Sequence, residues 1–275
     1  MSNTYQIYLI SDSTGETLDR VFLAIKAQFK NIDYNVKSYF FTRTENQVVK
    51  IIDEAKKNKN AIILYTIVDS SLAKFLANKS DEKQIPCFGV LGNLILSFSK
   101  LLNQQASHIP SGQHALNEEY YERIEAIQFT MNHDDGNLVE ELEKSDLILL
   151  GVSRTSKTPT SIYLANRGFK TSNIPLVNEN SLPKKLKDNP HFTCVIGLSI
   201  EPERLAEIRK NRMSSLRETV NRDYTGIENI KKEVEEAKKT FKKYKWPLID
   251  VTRKSVEEAA ASIIKIHEIY LRNDK

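Results

Sequence analysis

Residues 146–166 read Asp-Leu-Ile-Leu-Leu-Gly-Val-Ser-Arg-Thr-Ser-Lys-Thr-Pro-Thr-Ser-Ile-Tyr-Leu-Ala-Asn. The apolar run at 147–150 predicts a buried strand and the stretch from Pro159 onward predicts a helix, so residues 151–158 form the turn between them. A turn that enters a helix N-terminus points several backbone N–H groups at one spot, and the helix dipole favours an anion there. The sequence therefore predicts a phosphate-binding loop at this turn.

The spacing within the turn follows the nucleotide-binding pattern G-x-x-x-x-G-K-[ST], with one departure. Its members are Gly151, Val152, Ser153, Arg154, Thr155, Ser156, Lys157 and Thr158. Lys157 supplies a mobile charge for the outer phosphates of a nucleotide, and Thr158 is the predicted ligand of Mg²⁺. Ser156 replaces the second glycine, which such loops use for a positive φ or for close approach to phosphate.

Outside this loop, short β-rich apolar runs alternate with amphipathic helical stretches, a pattern typical of an α/β fold with mainly parallel sheets. We expect a first α/β unit over residues 1–104, a linker and connecting helix over 105–145, and a second α/β unit, with the phosphate loop, over 146–275. No internal repeat is evident. The predicted strands cover residues 6–10, 36–41, 61–66, 147–151, 174–177, 193–198 and 247–251.

The composition predicts a folded, cytoplasmic protein. Of the 275 residues 40% are hydrophobic, enough for one large or two modest cores. No stretch approaches the roughly 20 apolar residues of a membrane helix, and the N-terminus lacks the layout of a secretion signal. The net charge of +4 comes from 40 basic and 36 acidic residues spread along the chain, which argues against nucleic-acid binding. Cys87 and Cys194 are predicted to be buried, reduced thiols.

Acidic residues near the loop are candidates for chemistry. His133-Asp134-Asp135-Gly136 follows a predicted helix, and two adjacent carboxylates at a helix C-terminus are stabilised by Mg²⁺ or arginine against the helix dipole. Asp134 or Asp135 can accept a proton from an attacking hydroxyl. The alternative is a plain turn ended by Gly136 in a left-handed conformation. Asp250, at the end of a predicted strand, is a weaker candidate for holding Mg²⁺.

A second hydroxyl-rich turn, Ser11-Asp-Ser-Thr-Gly-Glu-Thr17, ends the first predicted strand. Open parallel sheets bind ligands at this carboxyl edge. Ser13 and Glu16 also fit a capping box, in which each side chain satisfies a backbone N–H of the other residue. The residues alone leave open whether the turn is a helix cap or a site for a phosphate or a substrate hydroxyl.

Arginines are concentrated after the strand predicted at 193–198. The planar guanidinium matches phosphate oxygens, and small phosphotransferases often close an arginine-bearing lid over the transferred group. The cluster therefore predicts a lid, with an exposed basic helix as the alternative. Its members are the catalytic candidates Arg204, Arg209 and Arg212, followed by Arg217 and Arg222.

Taken together, five segments resemble the pyruvate, phosphate dikinase regulatory protein family, and the resemblance spans nearly the whole chain. The family's own form of the loop accommodates Ser156. The resemblance implies a bifunctional enzyme that moves the β-phosphoryl group of ADP to a threonine of the dikinase, releasing AMP. It also implies the removal of that phosphoryl group by inorganic phosphate, releasing pyrophosphate. The segments are residues 11–17, 113–127, 133–136, 151–161 and 200–212.

The same resemblance implies a role for each candidate residue. Residues 151–158 bind the ADP phosphates, Lys157 and the lid arginines neutralise charge, and Thr158 ligates Mg²⁺. Asp134 or Asp135 orients or deprotonates the target threonine, and the turn at 11–17 receives phosphate or a segment of the dikinase. A homodimer is also implied.

Three other functions stay open at this point. The target of the same chemistry can be phosphoenolpyruvate synthase, which a sister branch of the family regulates. A small-molecule kinase of the adenylate or shikimate type would share the loop and the lid, although such kinases are usually complete without an additional N-terminal α/β unit. A nucleotide-sensing protein without transfer activity would need the loop alone.

Overall fold

The computed structural model of the protein describes residues 4–112, 117–216 and 222–273. Contacts within the chain divide it into two compact units, residues 1–115 and 116–275. Each unit contains a four-stranded sheet in which every pair of neighbouring strands is parallel. The predicted α/β fold with two mainly parallel sheets is confirmed.

The first unit alternates strands and helices, and its sheet has the order β2-β1-β3-β4. Successive side chains of a strand point to opposite faces of the sheet. Ile7 and Leu9 of the first strand accordingly pack with the first helix, whereas Tyr8 and Ile10 pack with the second and third helices. The elements are β1 (Tyr5–Ser11), α1 (Glu16–Lys26), β2 (Tyr34–Tyr39), α2 (Glu45–Ala55), β3 (Ala61–Thr66), α3 (Ser70–Glu82), β4 (Cys87–Gly89) and α4 (Gly92–Leu102).

The second unit has the larger core, because β5 and β7 are buried along their whole length and covered by helices. Its sheet has the order β6-β5-β7-β8. The elements are α5 (Glu118–Asn132), β5 (Leu147–Gly151), α6 (Lys157–Ala165), β6 (Thr171–Pro175), α7 (Lys184–Asp188), β7 (Cys194–Ser199), α8 (Pro202–Leu216), α9 (Arg222–Thr225), α10 (Ile227–Lys243), β8 (Leu248–Asp250) and α11 (Val256–Asn273).

Both sheets have the same topology, since the first strand of each unit lies between the second and third strands. In each unit the first strand leads through a short turn into a helix, α1 in one case and α6 in the other. This likeness is not predicted from the sequence, because strand order depends on contacts between segments distant in the chain.

The boundary between the units differs from the expected one. Residues 105–145 were expected to connect two units, but α5 and the acidic turn after it belong to the second unit. Helix α5 packs against α6 and β6, and its Ala126 and Thr130 are buried. The acidic turn is thus part of the unit that contains the predicted phosphate loop.

Strand β6 begins three residues before the predicted strand at 174–177. Its first residues are polar, yet Thr171, Ser172 and Asn173 are buried. Their polar groups have partners: the Thr171 N–H donates to Thr130 Oγ1 at 3.0 Å, and the Ser172 and Ser145 hydroxyls lie 2.7 Å apart. Apolar periodicity missed this part of the strand because hydrogen bonds permit its burial.

The structure bears on two predictions from composition, which concern membrane helices and the state of the two cysteines. Within the described ranges, which omit 1–3, 113–116, 217–221 and 274–275, no helix is long and apolar enough to cross a membrane. Cys194 is a buried free thiol and Cys87 a half-buried one. Burial raises the pKa of Cys194 to about 11 and also raises that of Cys87, so both thiols are protonated near neutral pH.

Candidate active site

The predicted phosphate loop leaves β5 at its carboxyl end and enters α6 at Lys157. Gly151 stands where the loop starts, beside the neighbouring strand β7. A Cβ atom at this position would lie 2.8 Å from the carbonyl oxygen of Leu198 and 2.7 Å from Thr155 Oγ1. Only glycine lets the backbone of the two strands approach this closely.

Ser156 has φ +58° and ψ +23°, in the left-handed region, and it caps the N-terminus of α6 without a side-chain hydrogen bond. Arg154 also has a positive φ, +73°. The second glycine of the nucleotide-binding pattern serves such a conformation. The loop therefore adopts the backbone conformation that the pattern requires at position 156, although serine makes it strained.

The loop is braced from within by two side chains that reach Val152. Thr155 is fully buried, and its hydroxyl donates to the Val152 carbonyl at 3.0 Å. The Lys157 Nζ donates to the same carbonyl, also at 3.0 Å. Burial lowers the pKa of Lys157 to about 8, although the nearby carboxylates of Asp135 and Asp134 act to raise it. An anion that entered the loop would compensate the positive charge of the buried Lys157 ammonium.

The acidic turn is fixed to the second unit by His133, the last residue before it. The imidazole stacks on Phe129 with ring centroids 3.8 Å apart, and Nδ1 lies 2.8 Å from the Phe129 carbonyl oxygen. Because a carbonyl can only accept, Nδ1 carries the proton. The His133 carbonyl in turn accepts the Asn173 N–H of β6 at 3.0 Å. These contacts hold the turn against the strand next to the loop.

Asp134, Thr158 and Asn173 form a hydrogen-bonded cluster. The Thr158 hydroxyl lies 3.1 and 3.2 Å from the two Asp134 carboxylate oxygens. The Asn173 side-chain amide donates to Thr158 Oγ1 at 2.9 Å and also to Asp134 Oδ1. The Asn173 amide oxygen is buried and has no hydrogen-bond partner among the residues that the structure describes. One carboxylate, one hydroxyl and one free amide oxygen thus meet at the first turn of α6.

Asp135 differs from its neighbour, although the two carboxylates are adjacent in sequence. Its side chain is exposed and, within the described part of the chain, forms no hydrogen bond. Its backbone has φ +54°, in the left-handed region. Among the charges that raise the pKa of Lys157, Asp135 has the largest effect. The carboxylate is therefore free to contact a ligand beside the lysine.

These groups line one cavity of about 470 Å³, within the range of small-molecule sites. Both aspartates of the acidic turn and Ser153, Arg154, Ser156, Lys157 and Thr158 of the loop contribute to its wall, together with Pro159. Three further lining residues were not predicted from the sequence: Asn173, Pro175 and Ile208. The cavity brings basic and acidic groups together at a helix N-terminus, an arrangement that suits a magnesium-bound phosphate chain.

A family model described as kinase/pyrophosphorylase matches residues 7–264. The chain belongs to the kinase/pyrophosphorylase family. It is 80% identical over 273 residues to a protein of Pelagibacter ubique provisionally named pyruvate, phosphate dikinase regulatory protein, and the match covers 99% of this chain and all of the relative. Relatives with the same name from Paramagnetospirillum magneticum and Erythrobacter litoralis are 38% and 41% identical, covering 97% and 95% of this chain and 85% and 93% of theirs.

The family name identifies this chain as a phosphotransferase and confirms the resemblance drawn from its motifs. A periplasmic ribose transporter of Conexibacter woesei is similar over 76% of this chain and 78% of its own, but the TM-score is 0.26 and the identity 11%. Such a likeness carries no argument about this kinase/pyrophosphorylase.

Arg209 contacts the predicted phosphate loop of this kinase/pyrophosphorylase through the Ser153 carbonyl, and it is buried rather than part of an open lid. Its side chain is 1% exposed and forms a two-pronged ion pair with Glu233 of α10, at 3.2 and 2.7 Å. The guanidinium also donates to the carbonyls of Tyr224, at 3.0 Å, and Ser153, at 3.4 Å. The guanidinium is thus occupied by acceptors of the protein itself. Arg209 therefore supports the loop and does not offer a free positive charge to a phosphate.

The remaining lid candidates do not meet at the cavity in this structure. Arg204 is paired with Glu207 at 2.9 Å and lines a separate cavity. Five residues along a helix correspond to a rotation of about 140°, which turns Arg204 away from the face of Arg209. Arg212 is exposed and does not line the cavity. Arg217 and the side chain of Arg222 lie outside the described residues, as do residues 113–116 of the family motif.

Tyr224 is a contact residue of the loop that the sequence did not suggest. Its hydroxyl lies 3.4 Å from both Ser153 Oγ and Arg154 Nε, and the guanidinium carbon of Arg209 lies 4.5 Å from its ring centroid. Burial tends to raise the pKa of Tyr224, but the hydrogen bonds and the two arginine charges outweigh it and the net pKa is lowered. Nothing in the local sequence marks a lone tyrosine 70 residues beyond the loop.

The turn at residues 11–17 contradicts the capping-box prediction. Helix α1 begins at Glu16, its N-cap is Gly15 at φ +81°, and no side chain caps it. A Cβ on Gly15 would lie 2.0 Å from the Phe40 ring, so the turn needs glycine. The Ser13 hydroxyl instead lies 2.7 Å from that of Ser111. The turn lines a cavity of about 160 Å³, smaller than that of the phosphate loop.

Asp250 is not brought to the cavity. Its carboxylate accepts the N–H of Thr252 at 2.8 Å and also the Thr252 hydroxyl, which makes it a turn residue after β8. In the described ranges, no group of three or more His, Cys, Asp and Glu residues is placed to hold a metal ion. The hard oxygens of Asp134 and Thr158 nevertheless fit Mg²⁺, which usually keeps several waters and binds one or two protein oxygens plus substrate phosphates.

Proposed function

We propose that this protein is a bifunctional regulator of pyruvate, phosphate dikinase. As a kinase it transfers the β-phosphoryl group of ADP to a threonine of the dikinase, and as a phosphorylase it removes that group with inorganic phosphate. The observation that carries the proposal is a single cavity where the loop, Lys157, the Asp134–Thr158 pair and the free carboxylate of Asp135 meet. The names of the relatives support the choice of target.

In this proposal the backbone N–H groups of residues 151–158 and the N-terminus of α6 bind the phosphates of ADP or inorganic phosphate. Phosphoryl transfer depends mainly on positioning and on the stabilisation of charge, so one set of donors serves both directions. Lys157 leaves the Val152 carbonyl and contacts the transferred group. Arg154, which lines the same cavity, adds a second positive charge.

Thr158 and Asp134 are the proposed holders of Mg²⁺. When bound, Mg²⁺ would neutralise part of the phosphate charge and orient the phosphates. The Thr158 hydroxyl now donates to the Asp134 carboxylate, so the oxygens of the two proposed ligands already lie next to each other at the first turn of α6. The unpartnered Asn173 amide oxygen beside them supports a further ligand or water at this position.

Asp135 is the proposed base. Asp134 is engaged with Thr158 and Asn173, whereas Asp135 is free and exposed beside Lys157. In the kinase direction the threonine oxygen attacks the β-phosphorus of ADP, and the bond to the bridging oxygen breaks. AMP leaves with that oxygen, and the threonine proton passes to Asp135. In the phosphorylase direction a phosphate oxygen attacks the phosphothreonine, pyrophosphate forms, and Asp135 returns the proton to the threonine oxygen.

The proposal also includes a cytoplasmic homodimer, as the family resemblance implies. Phosphoenolpyruvate synthase is the alternative target of the same chemistry. A small-molecule kinase with this loop would transfer the γ-phosphoryl group of ATP, and a nucleotide sensor would bind without transferring.

The test combines the purified protein, Mg²⁺ and dikinase with either β-labelled ADP or γ-labelled ATP, followed by phosphopeptide mass spectrometry. We expect a dikinase threonine to become labelled from ADP but not from ATP. Addition of inorganic phosphate should then release the label as pyrophosphate. Transfer only from ATP to a small acceptor would overturn the proposal. Transfer to phosphoenolpyruvate synthase but not to the dikinase would show that the synthase is the target, and the proposed reaction would stand.

A further inference from the structure

Helix α4 presents an apolar face that the other described residues of the first unit do not cover. None of its residues is buried. Leu94, Phe98, Leu101 and Leu102 recur at the spacing of one helix face and are 57%, 59%, 83% and 63% exposed. Monomeric proteins seldom expose an apolar helix face of this kind unless it is an interaction site.

The sheet of the same unit has an uncovered apolar groove. Helices α2 and α3 pack with one face of the sheet, while among the helices described in this unit only α1 packs with the other face. Beside α1 an open groove of about 520 Å³ remains. Its wall is almost entirely apolar and includes Phe22, Ile25 and Phe29 on the α1 side and Phe88 and Val90 at β4.

We propose that α4 of one copy of this chain occupies the groove of a second copy, and that the second copy's α4 occupies the groove of the first. In the described part of the unit, no helix packs in the apolar groove and nothing covers the apolar face of α4. The two surfaces are therefore complementary. The contact would form a two-fold interface in which the same surface patch is used by both partners.

Continuity of the patch favours a second copy over an unrelated partner. Phe88 and Val90 line the groove, and α4 begins two residues later at Gly92. Helix and groove are therefore neighbouring parts of one surface, which is the geometry of a self-complementary interface. A different protein would need only one of the two features.

The scarcity of charged residues around α4 also fits self-association. Lys100 is the only Asp, Glu, Lys or Arg between Gln84 and Asn117, although such residues make up 28% of the chain. Two copies of this segment can thus meet without repulsion between like charges. The exposed leucines and phenylalanine of α4 and the apolar wall of the groove are surfaces of the kind that the core of a homodimer interface buries.

This inference rests on the homodimer of the proposed function but not on its chemistry. A monomeric protein that still transfers a phosphoryl group from ADP would overturn the inference and the proposed homodimer but not the proposed reaction, and an inactive dimer would overturn the proposed reaction alone. The two results can be distinguished because α4 and the groove contain no residue of the phosphate cavity.

Sedimentation velocity of the full chain over a range of concentrations tests the inference. The wild type is expected to be a dimer, and Leu94→Glu a monomer. Position 94 lies in the first turn of α4, where glutamate favours the helix, so the change spares the fold. Ile25→Lys, in the groove, should also give a monomer. Leu271→Glu, at a residue 49% exposed on α11, is the matched control and should remain dimeric.

Mixing the Leu94→Glu and Ile25→Lys variants gives the decisive result. In a mixed dimer one contact joins the new glutamate to the new lysine, and the other contact is wild type on both sides. We therefore expect dimers to return in the mixture. A monomeric wild type, a dimeric Leu94→Glu variant with native circular dichroism, or a mixture that stays monomeric would each overturn the inference.

Discussion

The hydroxyl of Thr158 lies 3.1 and 3.2 Å from the two carboxylate oxygens of Asp134, and this contact joins the first turn of α6 to the turn that follows α5. The two residues are 24 positions apart, and the strand β5 lies between them. Asp134 is hydrogen-bonded to Thr158, whereas the neighbouring Asp135 is exposed and has no hydrogen bond in the described part of the chain. Adjacent carboxylates therefore occupy different environments, and each suggests a separate experiment.

Replacement of Asp135 by asparagine should lower phosphoryl transfer from ADP to the target threonine by roughly 10²–10⁴-fold, the usual contribution of a general base. ADP affinity, measured by calorimetry, should change little, because the asparagine keeps the shape of the side chain. Asp188→Asn, at an exposed acid in the same unit, is the control. Unimpaired transfer by the Asp135 variant would exclude this residue as the base.

Replacement of Asp134 by asparagine should act through Mg²⁺. We expect the Mg²⁺ concentration that gives half-maximal transfer to rise by roughly 10–100-fold, since a charged ligand or its close support is lost. Transfer at saturating Mg²⁺ should recover most of the wild-type rate. An unchanged Mg²⁺ requirement, with a rate loss that no Mg²⁺ concentration restores, would contradict the assignment of Asp134 and Thr158.

ADP binding should depend on pH through Lys157. Burial lowers the pKa of the free lysine to about 8, and bound phosphates would favour its charged form and raise the pKa again. Affinity should thus be fully present below pH 8 and fall as the pH rises from about 8 toward the pKa of the complex.

Calorimetry in buffers of different ionisation enthalpy should accordingly detect proton uptake on ADP binding above pH 8. Lys157→Arg is the matched control, because arginine keeps its charge throughout this range and should bind without proton uptake. If wild type and variant took up the same number of protons, the lysine would not be the linked group.

Replacement of Ser156 by glycine should stabilise the protein. The left-handed φ of +58° strains serine but not glycine, and the relief exceeds the additional backbone entropy of the unfolded chain. We expect the free energy of unfolding in urea to rise by about 0.5–1 kcal/mol. Ser262→Gly, in the interior of α11, should lower it by about 0.5 kcal/mol. Destabilisation by both changes would refute the strain at position 156.

Loss of Arg209 should destabilise the second unit rather than affect only the chemistry. Arg209→Met would leave Glu233 and the carbonyls of Ser153 and Tyr224 without their donor. We expect a decrease of about 3 kcal/mol in the free energy of unfolding, typical of a broken buried ion pair. Arg204→Met, at an exposed ion pair, should change it by less than about 0.5 kcal/mol. Equal effects of the two changes would show that burial of Arg209 is not decisive.

Much of this fold could be predicted because its signals are local. Apolar runs of strand length alternate with helical periodicity, and most strands formed close to their predicted limits, with β6 as the exception. The spacing at 151–158 predicted a phosphate loop with one departure at Ser156, and this segment does connect a buried strand to a helix N-terminus. The acidic turn at 133–136 was a candidate because adjacent carboxylates at a helix end need compensation.

Other features depend on contacts that a linear pattern does not contain. Asn173 reaches the cavity only because β6 pairs with β5. The residues next to it in β6 are polar, so apolar periodicity did not predict a strand there. Arg209 could be placed in a lid from its residue type, but its burial is decided by Glu233 on another helix. The pairing of Ser13 with Ser111 likewise replaced the expected capping box with a contact across 98 residues.

The shared strand order of the two sheets makes residue 16 the counterpart of residue 157, since each opens the helix that follows the first strand of its unit. The first unit has glutamate there and the second has lysine. A phosphate chain at the earlier turn would meet a negative charge where the later turn offers a positive one. The corresponding helix starts of the two units thus carry side chains of opposite charge, although the two sheets have the same strand order.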